Sequence, residues 1–224
     1  MIKKILTCLL AVCIFSLGAG GSALAKPVTE KGAGEPDRAA NTEDSLEITV
    51  NDVNAAIAFS EDGKYHFEYD SSRFTVDTTE SAHTTRIQIG RKTAGRQNFE
   101  DRVKVYIPDM PYASVKGVAE NGAFNIPSVN ADITVINHSG AVSVELPSDF
   151  IKTVTYTADS SACTIGLNGN TDVTVNASIS DCAVSLPDGW PGFSFKETEY
   201  RHTSGNGTAK INLEAEDCAV SIKK

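Results

Sequence analysis

The chain has 224 residues and a formal net charge of −9, with 29 acidic residues against 20 lysines and arginines. Nucleic acids and anionic lipids are bound through basic groups, so this charge disfavours both as partners. Acidic cell-wall polymers would bind poorly unless a cation bridged them.

The first 25 residues have the pattern of an export signal. Two lysines near the start precede an apolar stretch over residues 5–17, and Ala23-Leu24-Ala25 forms a small-x-small cleavage site. The apolar stretch is shorter than the roughly 20 residues that a membrane-spanning helix needs. We therefore predict a signal peptide over residues 1–25 and an exported chain, extracellular or in the cell envelope. Losing the two lysines would change the net charge from −9 to −11.

Residues 26–44 combine Pro, Gly and charged residues without apolar periodicity, which predicts a disordered polar leader. The rest of the chain, 45–224, is predicted to form a single domain.

Three cysteines, Cys163, Cys182 and Cys218, follow the predicted signal peptide. An odd and sparse set of this kind is not typical of a disulfide scaffold. Cys13, inside the signal, ends a weak lipobox-like string. Lipid attachment at Cys13 is therefore an alternative to cleavage after residue 25.

Apolar and polar residues alternate from Leu46 onward, as they do in half-buried β-strands. The pair Asp62-Gly63 predicts a hairpin turn, and a return strand follows from Tyr65 to Tyr69. Further strands are predicted over residues 73–77, 85–89 and 103–107. Long helical periodicity is missing after the signal, so the predicted fold class is all-β.

A short unit then recurs to the C-terminus: an alternating strand, a tight polar turn, and a second alternating strand of shifted parity. The turns lie between the residue pairs Gly117/Gly122, Val135/Gly140, Ala158/Cys163, Ala177/Cys182 and Leu213/Cys218, with a missing unit at Phe195/Tyr200. A period of about 20 residues predicts a β-solenoid, like a right-handed β-helix, of two-strand rungs. An N-terminal antiparallel hairpin region would precede it. The alternative is an antiparallel β-sandwich.

Stacked rungs would place the three cysteines in one inward column with the flanking glycines and Tyr200. Cys163 and Cys182 would then lie on neighbouring rungs about 4.8 Å apart, which is within disulfide reach. The sequence thus gives Cys163–Cys182 as a candidate disulfide. The alternative is that these thiols are small buried core residues.

Familiar catalytic and metal-binding patterns are missing from the sequence. The four histidines have no second ligand at metal spacing, and no Gly-x-Ser-x-Gly elbow occurs. No catalytic residue, metal ligand or cofactor is therefore predicted. Among the acidic residues, Asp181 and Asp217 share one turn position and would form an outward row. Such a row could contact a ligand, bind calcium loosely, or simply be solvated. Clustering of Asp159 with them in a cleft would favour a carbohydrate-active enzyme.

The segment Pro187-Asp188-Gly189-Trp190-Pro191-Gly192-Phe193 interrupts the repeats and contains the only tryptophan of the chain. Aromatic residues on loops of a rigid scaffold are frequent recognition anchors. Trp190 is therefore a binding candidate, together with Asp181 and Asp217. The alternative is that its ring packs over the side of the stack.

Residues 46–224 resemble a bacterial β-strand-repeat family of unknown function that carries the name "putative adhesin" and is related to auto-transporter-adhesin-like head domains. The similar features are Asp62-Gly63 with its strands, Val103-Lys104-Val105-Tyr106-Ile107-Pro108, and the turns over residues 139–144 and 181–186. The resemblance implies a β-solenoid or β-helix-like fold, an envelope location and no established catalytic residues.

Together, these features predict an exported, non-enzymatic protein of the cell envelope that acts as a recognition or scaffolding module. The expected partner is an envelope protein or a glycan. The membrane would be involved only through the signal segment or a lipid anchor. Two alternatives stay open: a carbohydrate-active enzyme on a short β-helix, and an envelope-stress accessory protein that binds a membrane partner.

Overall fold

The computed structural model describes residues 44–93, 102–193 and 198–224. The predicted signal peptide, the leader up to residue 43, Cys13 and Phe195 lie outside these residues. Within the described ranges all regular elements are β-strands, which confirms the all-β prediction. These ranges contain no helix of the length and apolarity needed to cross a membrane.

The strands, in chain order, are β1 Ser45–Asn51, β2 Asn54–Phe59, β3 His66–Glu68, β4 Phe74–Ser81, β5 Thr84–Arg91, β6 Arg102–Ile107, β7 Ser114–Glu120, β8 Ala123–Ile126, β9 Asp132–His138, β10 Ala141–Glu145, β11 Thr153–Asp159, β12 Ala162–Gly166, β13 Val173–Ser180, β14 Ala183–Ser185, β15 Glu199–Ser204, β16 Ala209–Glu216 and β17 Ala219–Lys223.

Two sheets pack face to face. One has the strand order β15-β13-β16-β11-β9-β7-β1-β5-β4, and the other has the order β14-β17-β12-β10-β8-β2-β6-β3. Side chains alternate between the core and the outside; in β9, for example, Ile133, Val135 and Asn137 are buried. Across the core, the hydroxyl of Tyr156 in β11 donates to the carbonyl oxygen of Val142 in β10 at 2.9 Å. The inner faces of both sheets thus share one core.

Most neighbouring strands are parallel, and antiparallel pairs occur at the sheet ends. The antiparallel pairs are β4 with β5, β3 with β6 and β13 with β15. Each inner strand is hydrogen-bonded along both of its edges, and two parallel neighbours need a crossover connection. Here the crossover from β7 to β9, for example, passes through β8 of the facing sheet.

Among the described residues, six tight turns connect a strand of the nine-stranded sheet to the next strand in the eight-stranded sheet. Each turn has one residue with φ between 50° and 55°, a conformation that Asn and Asp tolerate best among residues with a side chain. We call these residues the turn row, which in stacking order is Asp52, Asn121, Ser139, Ser160, Asp217 and Asp181. Backbone hydrogen bonds run through the row; the amide of Ser139, for instance, donates to the carbonyl of Asp159 at 3.0 Å.

The stacking order of these strand pairs differs from their order in the chain. The last pair, β16–β17, lies between β11–β12 and β13–β14. The first pair, β1–β2, lies between β5–β6 and β7–β8. The C-terminal strands are therefore inside the stack, and β13, β14 and β15 are at its end.

The predicted hairpin at Asp62-Gly63 is wrong. Gly63 does have a positive φ of 71°, but β3 pairs with β6, and β6 lies between β3 and β2. The turn signal reports a local change of direction and cannot specify the neighbouring strand. A true hairpin follows, where β4 and β5 pair across the turn at Ala82-His83.

Four of the five predicted repeat units coincide with observed turns, and the unit at Ala158/Cys163 is displaced by two residues. Tyr156 is the register partner of Val135 and of Leu213, so the third unit is Tyr156/Ser161. A slip of two residues keeps every side chain on the same face, so alternation alone could not detect it. Tyr200 lies opposite Ala177 in the antiparallel strand β15 and belongs to no turn.

Candidate functional site

Aromatic side chains gather beside β15, at the end of the stack. The Trp190 ring lies against the imidazole of His202, with centroids 4.3 Å apart and planes inclined at 42°. Phe193 and Tyr200 meet edge to face at 6.2 Å. We call Trp190, Phe193, Tyr200 and His202 the aromatic cluster.

Strand pairing and a short turn position this cluster. Tyr200 and His202 are two residues apart in β15, so their side chains lie on the same face of the sheet. On the loop, the amide of Trp190 donates to the carbonyl of Pro187 at 3.2 Å. The Tyr200 hydroxyl donates to the carbonyl of Pro191 at 3.3 Å and ties the loop to the strand.

The cluster offers a partly exposed aromatic surface. Trp190, Phe193 and His202 are half-buried, whereas Tyr200 is buried. Burial raises the pKa of Tyr200, so its hydroxyl keeps its proton and remains a donor at neutral pH. Trp190 therefore both packs on β15 and presents ring surface to solvent, which combines the binding and the packing interpretations.

The acidic candidates lie on three adjacent turns. Asp181 and Asp217 occupy neighbouring positions of the turn row, as predicted, and Asp159 immediately precedes the row residue Ser160. All three carboxylates are exposed. Asp159 lies 4.0 Å from Nδ1 of His138 and accepts a hydrogen bond from the hydroxyl of Ser160.

No three His, Cys, Asp or Glu side chains converge as a metal site anywhere in residues 44–93, 102–193 and 198–224. The exposed row of turn carboxylates therefore resembles ordinary solvated turn chemistry more than a dedicated ion site.

The cysteines occupy two columns, and Cys163 and Cys182 do not lie on neighbouring strand pairs, contrary to the prediction. Cys182 and Cys218 directly follow the turn row, whereas Cys163 lies in the next inward column, with Val142 and Val220. The strand pair of Cys218 lies between those of Cys163 and Cys182. All three are free, buried thiols. The error came from the slipped third unit and from the assumption that strand pairs stack in chain order.

A cleft of about 260 Å³ lies at the opposite end of the stack. Its lining includes Tyr65, His83 and Tyr112, which come from separate segments of the chain. The Tyr112 hydroxyl donates to the carbonyl of Pro108 at 3.0 Å, and Nδ1 of His83 lies 3.4 Å from Oδ1 of Asp44. Sequence reasoning missed this cleft because only the fold brings these segments together. None of the acidic candidates lines it.

No protein-family model and no curated protein matches this chain. Among solved structures, a "putative cell adhesion protein" from Clostridium sporogenes ATCC 15579 has a TM-score of 0.58 and 16% identity, covering 88% of this chain and 99% of that chain. A "putative adhesin" from Bacteroides fragilis NCTC 9343 has a TM-score of 0.30 and 11% identity, covering 81% and 93% of the two chains. The first likeness establishes a shared all-β fold.

Proposed function

We propose that this chain is an exported, non-enzymatic recognition module of the cell envelope and that its aromatic cluster binds a neutral glycan. The observation that carries the proposal is the half-exposed ring pair of Trp190 and His202 at the end of a two-sheet scaffold. Sugar rings stack their C–H faces on planar aromatic side chains, and the imidazole can exchange hydrogen bonds with sugar hydroxyls.

Charge narrows the class of glycan. The chain carries a formal net charge of −9, which opposes the approach of acidic polymers. A neutral sugar carries no charge, so the negative charge of the chain does not oppose its approach to the cluster. The fold likeness to a protein named for cell adhesion supports a role at the cell surface, as does the signal pattern in the first 25 residues.

The scaffold suits a recognition role. We interpret the two mostly parallel sheets and their turn row as a short β-solenoid, in which strand pairs stack along one axis. At the end of this stack, β15 is paired with β13 over all of its residues, so Tyr200 and His202 are held in place before a ligand binds and lose little entropy on binding. A carbohydrate-active enzyme is less well supported, because Asp159, Asp181 and Asp217 are exposed on turns outside the cleft.

The test is direct binding of the full chain to immobilised neutral and acidic glycans and to isolated envelope fractions, with and without calcium. We expect saturable binding to neutral glycans that Trp190→Ala weakens about tenfold or more, because truncating a central aromatic hot spot typically costs about 2 kcal/mol or more and a tenfold loss is about 1.4 kcal/mol. His66→Ala is the control, since His66 is exposed and both it and its partner Asp62 lie outside the aromatic cluster.

Two results would contradict the proposal. Binding that is equal in the Trp190→Ala chain would remove the aromatic cluster from recognition. Binding only to a protein component of the envelope fractions would replace the glycan with a protein partner.

A further inference from the structure

Two buried thiols face each other near the aromatic cluster. Ser180 pairs with Glu216 and Ala183 pairs with Ala219, so Cys182 and Cys218 are in register between these partners. The backbone amide of Cys218 donates to Sγ of Cys182 at 3.3 Å. Neighbouring strands are about 4.8 Å apart, and this spacing falls within the Cα range of disulfides.

The surroundings distinguish the two sulfur atoms. Cys218 is 2% exposed and Cys182 is 7% exposed. The Ser161 hydroxyl lies 3.5 Å from Sγ of Cys218. The thiols donate to backbone carbonyls, from Cys182 to Ser180 at 3.1 Å and from Cys218 to Glu216 at 2.8 Å. The adjacent Cys182 side chain, followed by Ser161, lowers the pKa of Cys218. The Cys218 side chain raises the pKa of Cys182, so Cys218 is the thiol that ionises first.

We propose that Cys182 and Cys218 form a disulfide that fastens the end of the stack, a cross-link that goes beyond the recognition role. A disulfide-bearing oxidant such as oxidised glutathione accepts the two electrons that the protein thiols lose. The Cys218 thiolate attacks one sulfur of the oxidant and releases a thiolate. Cys182 then loses its proton and attacks the Cys218 sulfur of the mixed disulfide, which releases the second thiolate. Two protein thiols are oxidised, and one oxidant disulfide is reduced to two thiols.

The location of the cross-link indicates that it would hold β14 in place at the end of the stack. β14 has only three residues and pairs only with β17 among the described strands. Its short ladder is the weakest attachment at this end, and the Trp190 loop follows it directly. A bond from Cys182 to Cys218 closes a loop of 36 residues and holds β14 beside β17.

Cys163 is not the partner. Its register partners are Val142 and Val220, and the strand pair of Cys218 separates it from Cys182. Burial also raises the pKa of Cys163, which disfavours its thiolate. The proposed bond therefore replaces the pairing of Cys163 with Cys182 that the sequence suggested.

The test is refolding of the reduced, unfolded full chain in a buffer of reduced and oxidised glutathione, which removes any problem of access to buried thiols. After alkylation of free thiols, proteolysis on the amino side of aspartate separates the three cysteines, because Asp172 and Asp181 lie between Cys163 and Cys182. We expect fragments 181–187 and 217–224 joined with the loss of two hydrogen atoms, and Cys163 alkylated in most chains.

Cys163→Ser is the matched control and should retain the bond, whereas Cys218→Ser should leave Cys182 alkylated. The proposal is overturned if the refolded chains have the far-ultraviolet circular dichroism of the native protein but both Cys182 and Cys218 are found alkylated. Predominant pairing of either residue with Cys163 or with a cysteine of the N-terminal segment would overturn it equally.

Discussion

Gly140 occupies a position where the neighbouring backbone leaves no room for a side chain. A Cβ atom there would overlap the carbonyl oxygen of Gly122 and lie 2.9 Å from Oδ1 of Asn137. The equivalent positions on the next strand pairs are Ser161 and Cys218, which carry side chains. The requirement for glycine is therefore local, and the completely buried Asn137 contributes to it.

We expect Gly140→Ala to lower the free energy of unfolding by about 1–3 kcal/mol, the usual cost of forcing extra volume into a packed site. The measurement is denaturant unfolding followed by Trp190 fluorescence. Gly192→Ala is the control, because a Cβ there meets nothing within 4 Å, and its effect should stay within about 0.5 kcal/mol. Equal effects of the two substitutions would show that the close approach is not a constraint.

At the same scale, the sequence indicated one half of the candidate site. Trp190 was recognisable as the single tryptophan between Pro and Gly residues. His202 and Tyr200 carried no such signal, because each reads as an ordinary strand residue. They reach the Trp190 loop only because β15 folds back antiparallel on β13. Local patterns do not contain that non-local pairing.

Asn125 joins two strands where their ladder is incomplete. Between β2 and β8 the register includes Asn54 with Ala123 only. Further along, the Asn125 side chain donates to the carbonyl oxygen of Ile57 at 2.7 Å and accepts from the Ile57 amide at 2.9 Å. The side-chain amide thus takes the place of a neighbouring peptide group and continues the sheet.

Asn125→Ala should lower the free energy of unfolding by about 1–3 kcal/mol, because it leaves both backbone groups of Ile57 without these partners. It should also speed hydrogen exchange of the Ile57 amide relative to the other amides of β2. Asn176→Ala is the matched control, since the Asn176 side chain donates to another side chain, that of Asn212, at 3.2 Å. An unchanged exchange rate at Ile57 would contradict the bridging role.

At the scale of elements, the strands were predictable and their register was not. Alternation located β1, β6, β9 and β10 because one face of each is buried. The slipped unit at Ala158/Cys163 shows the limit. Ala158 and Cys163 fit the alternation as well as the true positions, Tyr156 and Ser161, do. The left-handed conformation of Ser160 marks the true turn, and serine gives only a weak sequence signal for that conformation.

At the scale of the whole molecule, the last strand pair of the chain lies between two earlier pairs. β16 contacts β11 on one side and β13 on the other, and β17 likewise lies between β12 and β14. Apolar columns of Val, Ile, Leu and Ala are nearly interchangeable from one strand pair to the next. The sequence pattern therefore could not reveal that the last pair enters the interior of the stack.

This order predicts how the chain responds to truncation. In a stack built in chain order, removal of the last unit would expose a single new edge. Here, a chain that stops after Thr208 loses β16, the strand to which both β11 and β13 are hydrogen-bonded. We expect backbone amides of β13 and β15 to lose hydrogen-exchange protection, while those of β7 and β9 keep theirs, because their own parallel partners remain.

A chain that stops after Lys223 is the control and should behave like the full protein, since it retains all of β17. Persistent protection of β13 in the shorter chain would mean that β13 can pair directly with β11. The C-terminal pair would then be an addition to an already complete stack.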